Sequence, residues 1–210
     1  MTAVAQYFEI HPLNPQPRLI REAVAILRGG GVIVYPTDSL YALGCMVGEK
    51  AAMERLRWIR NIDERHHLTL MCRDLSMVGD FARLDNRAFR LVKDCTPGCF
   101  TFILPASSDL PRRVSQVRSK TIGVRIPANP IAIALLEELG EPMLSTSLLL
   151  PGDEQPLDDA GLIRERLEHS VDLVIDGGSC GGEPSSVIDL TGSAPVVVRQ
   201  GRGSVAAFLH

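Results

Sequence analysis

Gly29-Gly30-Gly31-Val32-Ile33-Val34-Tyr35-Pro36-Thr37-Asp38-Ser39-Leu40-Tyr41-Ala42-Leu43-Gly44 is the stretch on which the fold turns. The glycine triplet ends one element, with positive φ available to it. Val32 to Tyr35 is a short apolar run bounded by turn residues, the pattern of a buried strand. Pro36-Thr37-Asp38-Ser39 then breaks the run and sets two hydroxyls and a carboxylate just past the strand end. In open α/β sheets, ligands collect in the crevice outside strand C-termini. The same four residues also read as a polar turn between two core segments.

Upstream, Leu19, Ile20, Ala23, Val24 and Leu27 recur at helical spacing, which predicts an amphipathic helix over 18–28 with Pro17 in its first turn. Pro12, Pro15 and Pro17 keep residues 1–16 out of a helix interior, so that segment reads as extended. Downstream, helices are expected at 51–60, 74–81, 85–95, 129–140 and 158–169. Asn129-Pro130 forms a cap followed by a first-turn proline. Strands are expected at 68–72, 100–104, 121–127, 143–150, 171–175, 187–190 and 195–199. Helix and strand alternate without a linker or repeat, and some strands follow one another directly. The fold class is therefore α/β: one domain over 1–210, a twisted mixed sheet with flanking helices.

Composition sets the outer limits. Of 210 residues, 45% are hydrophobic and 22% charged, with a net charge of −3. This is an ordinary globular balance, and it argues against a chain basic throughout while leaving room for a local basic pocket. The positive charge is mostly arginine; lysine occurs only at Lys50, Lys93 and Lys120. Five cysteines, with no CxxC pair, predict reduced thiols and no structural metal. No apolar run approaches the roughly 20 residues of a membrane span, and no leader pattern opens the chain, so a cytoplasmic protein without a membrane partner is expected.

The chain has no G-x-x-x-x-G-K-[ST], no G-x-S-x-G and no H-E-x-x-H. What it has is a scatter of small polar residues at strand ends: Thr37, Ser39, Thr121, Ser145, Thr146, Ser147, Ser185 and Ser186. Arg60, Arg125 and Arg199 lie near them in sequence. Hydroxyls, backbone amides and guanidinium groups are the parts that hold phosphate and carboxylate. The glycine-rich loop 177–182 offers further amides to an anion. Arg112, Arg113, Arg118 and Lys120 cluster in one loop. They form either a basic rim that tracks nucleic-acid phosphates or a solvated loop.

Several blocks resemble one family. The stretch Gly30–Gly44 is similar to the PTxTxYGLG block of the Sua5/YciO/YrdC family, with Ser39 and Ala42 as substitutions. Thr96–Thr101 resembles its WPGPLT block, Gly123–Pro127 its VRxP block, and Pro142–Gly152 its PxxxTSANxSG block. Ser185–Leu190 and Val198–Gly201 resemble STVxDL and LRxG. The order is the same, and the YciO branch is the nearest likeness.

The resemblance implies a deep, positively lined cavity. It implies synthesis of threonylcarbamoyl-AMP from ATP, L-threonine and bicarbonate with release of pyrophosphate, serving t6A modification of tRNA. It also implies Mg²⁺ carried by the nucleotide, and double-stranded RNA or tRNA as a partner. Carried over residue by residue, it makes Arg60 and Ser147 the catalytic groups. Thr37, Ser39, Thr121, Arg125, Ser185, Ser186 and Arg199 become the nucleotide-binding set; the nucleic-acid set, Arg112, Arg113, Arg118 and Lys120, rests on the clustering of basic residues and not on a family block.

The family's K-x-R and S-x-N motifs fall here on Arg60-Asn61-Ile62 and Ser147-Leu148-Leu149. Ile62 and Leu149 are expected to face Thr37–Ser39 across the cavity and make that part apolar. Losing a buried donor to a reacting oxyanion costs on the order of 100-fold in rate. Two readings stay open: a synthase or close variant of it, and a nucleotide- and RNA-binding module without the family reaction.

Overall fold

The computed structural model describes residues 4–63, 66, 68–108 and 120–208. Ten strands form one mixed sheet: β1 (Gln6–Glu9), β2 (Ile33–Tyr35), β3 (Ala42–Met46), β4 (Thr69–Met71), β5 (Phe100–Pro105), β6 (Thr121–Arg125), β7 (Met143–Ser147), β8 (Leu173–Asp176), β9 (Ser186–Asp189) and β10 (Val196–Arg199). Their order is β1-β8-β2-β3-β7-β4-β6-β5-β9-β10. β8 pairs in parallel with β1 and β2, β4 with β6, and β5 with β9; the remaining pairs are antiparallel. The helices are α1 (Pro17–Arg28), α2 (Lys50–Arg60), α3 (Leu75–Phe81), α4 (Asn86–Cys95), α5 (Pro130–Leu139) and α6 (Ala160–Leu167).

The helices expected from periodicity are present, and their caps explain their ends. Asp74, Asp85, Asn129 and Asp159 each accept a backbone N–H in the first turn of α3, α4, α5 and α6. In the glycine triplet only Gly30 takes positive φ, at +81°; Gly29 ends α1 at φ −76°. Two strands lie where none was expected. β1 sits in the extended N-terminal segment and pairs with β8 at the sheet edge. β3 is Ala-Leu-Gly-Cys-Met, poor in β-branched residues, yet every position is buried. Packing between two strands outweighs propensity there.

The sheet's two faces differ. One face is apolar across most of its width: Val34, Leu43, Leu144, Leu70, Val124, Phe102 and Ile188 share one core with residues of α2, α3, α4 and α6. The other face is apolar over β1, β8, β2 and β3, where Phe8, Leu173, Ile33, Tyr35 and Met46 pack with α1 and α5, and Met143 and Met71 carry this core onto the near ends of β7 and β4. Beyond β3 polar residues enter this second face, and a cavity opens on it.

Candidate functional site

The period-2 alternation of β4 to β7 builds the cavity floor. On β6, Ile122 and Val124 enter the apolar core, so Gly123 and Arg125 face the other way. On β4, Leu70 goes to the core, while Thr69 and Met71 line the cavity. Thr101 and Ile103 of β5 and Ser145 and Ser147 of β7 follow the same rule. Val187, Val198 and Arg199 extend the lining across β9 and β10, Thr37 and Leu40 come from the loop after β2, and Arg60 ends α2. The cavity volume is about 330 Å³, within the usual range for a small-molecule site. The site therefore lies on the sheet face. Only the Thr37–Leu40 loop occupies the expected position beyond a strand end.

Among the described residues, three arginines line this cavity and no carboxylate does. Arg125 is 5% exposed. Its Nη2 lies 2.7 Å from Asp38 Oδ1 and its Nη1 donates to Ser39 Oγ at 2.9 Å. Arg199 donates from Nε and Nη2 to the Ser185 carbonyl at 3.1 and 2.8 Å, and has no carboxylate partner among the described residues. Burial, and then the nearby Arg125 cation, lower the pKa of Arg199. Arg60 has no hydrogen-bond or ion-pair partner among the described residues, its Nε is buried, and desolvation lowers its pKa as well. Desolvated cations without counter-charge make a strong field for an anion.

The hydroxyls divide into two groups. Thr37 Oγ1 donates to the Leu40 carbonyl at 2.6 Å and accepts the Ser39 and Leu40 amides, so it holds its own turn. Ser145 Oγ donates to the Leu43 carbonyl and accepts from Tyr35, and Thr101 and Ser185 bond each other at 2.9 Å. Thr69, Thr146 and Ser147 line the cavity without a hydroxyl partner among the described residues. They are the hydroxyls open to a ligand.

Of the residues singled out from sequence, Arg60, Ser147, Thr37, Arg125, Ser185 and Arg199 line the cavity together. Ser39 sits behind it, 1% exposed and bound to Arg125. Ser186 Oγ donates to the Gly203 carbonyl and accepts the Gly201 amide, so it fastens the C-terminal segment. Thr121 starts β6 and is outside the lining. Lys120 is exposed, at φ +51°, and Arg112, Arg113 and Arg118 lie outside the described residues.

Two expectations are corrected. Ile62 lines a separate groove with Trp58, Leu150 and Arg166, and Leu149 is 36% exposed. Neither lines the cavity. Four amides of the glycine-rich loop are already engaged: Gly177 with Tyr41, Gly178 with Asp176, Cys180 with Asp158 and Gly181 with Ser179. That loop is a strap over its own neighbours. Sequence reasoning missed Thr69 and Gly123; their alternation with core residues Leu70, Ile122 and Val124 was the available signal.

The Sua5/YciO/YrdC family profile, described as telomere recombination, matches residues 25–201. The chain is 58% identical to the YciO protein of Escherichia coli over 206 residues, covering 98% of this chain and 100% of that one. The crystal structure of E. coli YciO aligns with a TM-score of 0.94 over the same shares of the two chains. The threonylcarbamoyl-AMP synthase of Coxiella burnetii is 32% identical over 159 residues, 75% of this chain and 84% of that protein. P. abyssi Sua5 complexed with L-threonine aligns with a TM-score of 0.84 at 27% identity, covering 93% of this chain and 57% of that longer one.

Proposed function

The chain belongs to the Sua5/YciO/YrdC family and is related to the threonylcarbamoyl-AMP synthases, and we propose that its arginine-lined cavity binds ATP and forms an acyl-adenylate of the threonylcarbamoyl-AMP type. In this reading, L-threonine and bicarbonate give the N-carboxylate with loss of water. A carboxylate oxygen then attacks the α-phosphorus of ATP. The bond from that phosphorus to the bridging oxygen breaks, and pyrophosphate leaves with the electron pair.

The chain's part is positioning and charge. Arg60, Arg125 and Arg199 neutralise the phosphate oxygens and the developing pyrophosphate. Thr69, Thr146 and Ser147 donate hydrogen bonds to the carbamate end. No described cluster of His, Cys, Asp and Glu is suited to hold a metal, and Mg²⁺ enters with the nucleotide.

The observation that supports this reading is the charge asymmetry of the cavity among the described residues: three arginines in its wall, one of them without a described partner, and no carboxylate lining it. Neither of the two apolar substitutions in the family motifs is among the cavity-lining residues, and Ile62 lines the other groove. The test is pyrophosphate release by purified protein given ATP, L-threonine, bicarbonate and Mg²⁺. Threonine-dependent release above background is expected. ATP binding without any release overturns the reaction and leaves a nucleotide-binding protein; absence of ATP binding overturns the reading altogether.

A further inference from the structure

Among the described residues, Asp38 is the acidic group paired with the arginine cluster, through Arg125, and its surroundings define what it does. Its side chain is 12% exposed and that of Arg125 6%. Oδ1 takes Arg125 Nη2 at 2.7 Å. Oδ2 accepts the Cys99 thiol at 3.1 Å, and the Asp38 carbonyl accepts the same thiol at 2.9 Å. The carboxylate is thus fixed from behind by β5's approach segment and from its own chain by the Thr37 turn, whose hydroxyl closes on Leu40. Burial and then Asp38 push the Cys99 thiol up to about 11, so at neutral pH it stays a thiol and a donor.

Arg125 has five N–H donors. One is fixed by Asp38 and one by Ser39. The Nε is buried without a partner among the described residues, and Arg125 is one of the residues that line the cavity. A guanidinium on a long stem loses orientation unless something holds one edge of it. We propose that Asp38 is a positioning residue: it grips one edge of Arg125 so that the rest of the guanidinium is presented to the nucleotide's phosphates in a single orientation. Cys99 and the Thr37 turn hold Asp38 itself. This inference rests on the cavity being the nucleotide site.

Charge alone and positioning make opposite forecasts. A carboxylate beside an anion site repels the anion, so removing its charge strengthens phosphate binding if charge is all that matters. If Asp38 orients Arg125, removing its charge weakens binding, and only while Arg125 is present. The experiment is a double-mutant cycle on Mg·ATP affinity, by calorimetric titration, with the wild type, Asp38→Asn, Arg125→Gln and the double variant. Asp38→Asn is expected to weaken binding about tenfold in the wild-type background and less than twofold beside Arg125→Gln, a coupling of ordinary size for residues in contact.

Unchanged or tighter binding by folded Asp38→Asn overturns the inference, as does an equal loss in both backgrounds. A merely structural Asp38 would lower the melting temperature and leave the affinity of the folded protein alone. Failure of the wild type to bind Mg·ATP is a different result: it overturns the nucleotide reading and this inference with it. If Asp38→Asn does not fold, Ser39→Ala frees the same guanidinium at its other held nitrogen. A smaller loss that vanishes beside Arg125→Gln is then expected, and unchanged affinity overturns the inference.

Discussion

One register row crosses the sheet and changes character halfway. Leu173, Ile33 and Gly44 lie opposite one another on β8, β2 and β3, and Ser145, Thr69 and Gly123 continue the row on β7, β4 and β6. The first half lies under α1 and α5 and is closed and apolar. The second half floors the cavity. Both halves belong to the same face, so strand geometry is not what separates them. A helix laid over Thr69, Thr146 and Ser147 would close off hydroxyls that have no partner among the described residues, at about 1–3 kcal/mol for each left unpaired. The open half stays open because its residues are too polar to cover, and the closed half stays closed because leaving it exposed forfeits its burial free energy.

The comparison breaks most visibly under truncation. Leu135 of α5 is fully buried in the closed half. Leu135→Ala is expected to destabilise the protein by about 2–5 kcal/mol, seen as a lower denaturant midpoint at unchanged slope. Thr69→Ala, a truncation in the open half, is expected to stay within about 0.5 kcal/mol. Similar losses at the two positions would mean the open half is core after all.

The next largest effect is on binding. Arg60 has no partner among the described residues, so Arg60→Met removes a charge that none of them pairs and keeps the stem's packing. Stability is expected to hold or rise slightly. Affinity for Mg·ATP is expected to fall by about 1.5–3 kcal/mol, the size of a hydrogen bond to a charged group, which is roughly 10- to 150-fold. An unchanged affinity in titration would remove Arg60 from the site.

How much of this the chain announces follows the same division. The closed half was legible: apolar spacing in 18–28 and the Asn129-Pro130 start placed α1 and α5, and Val32–Tyr35 read as a buried strand. The arginines and serines of the site were legible as residue types, and family blocks ordered them. What stayed hidden is which way side chains point. Ile62 and Leu149 stand where family motifs contribute to the cavity, but α2's left-handed exit at Asn61 (φ 49°) turns Ile62 into the other groove. Thr69 carries no motif and Gly123 only opens the block that ends in Pro127, and they reach the floor because the strands on either side fix their register. β3 escaped because Ala, Gly and Met have little strand preference of their own. Asp38 was visible as a letter, but its partner lies 87 positions away.

Two glycines of the register row sharpen the comparison to a single methyl group. A Cβ on Gly44, in the closed half, would come within 2.9 Å of both Met143 Sδ and Tyr35 Cε1. The methionine can move, but the Tyr35 ring is held by its 2.8 Å bond to Ser145. Gly44→Ala is therefore overpacked, and a loss of about 1–3 kcal/mol is expected. A Cβ on Gly123, in the open half, would meet Thr69 Oγ1 at 3.5 Å and Thr101 Cγ2 at 3.6 Å, ordinary contact distances. Gly123 is in a strand and is not among the positive-φ glycines, so alanine fits and restricts the unfolded chain. Gly123→Ala is expected to stabilise the fold by about 0.4–1 kcal/mol while narrowing the cavity floor and weakening Mg·ATP binding. Thermal melts and titration decide it. Opposite signs in stability at two glycines of one row locate the border between core and site between β3 and β6, whereas the same sign at both would mean that this border is drawn in the wrong place.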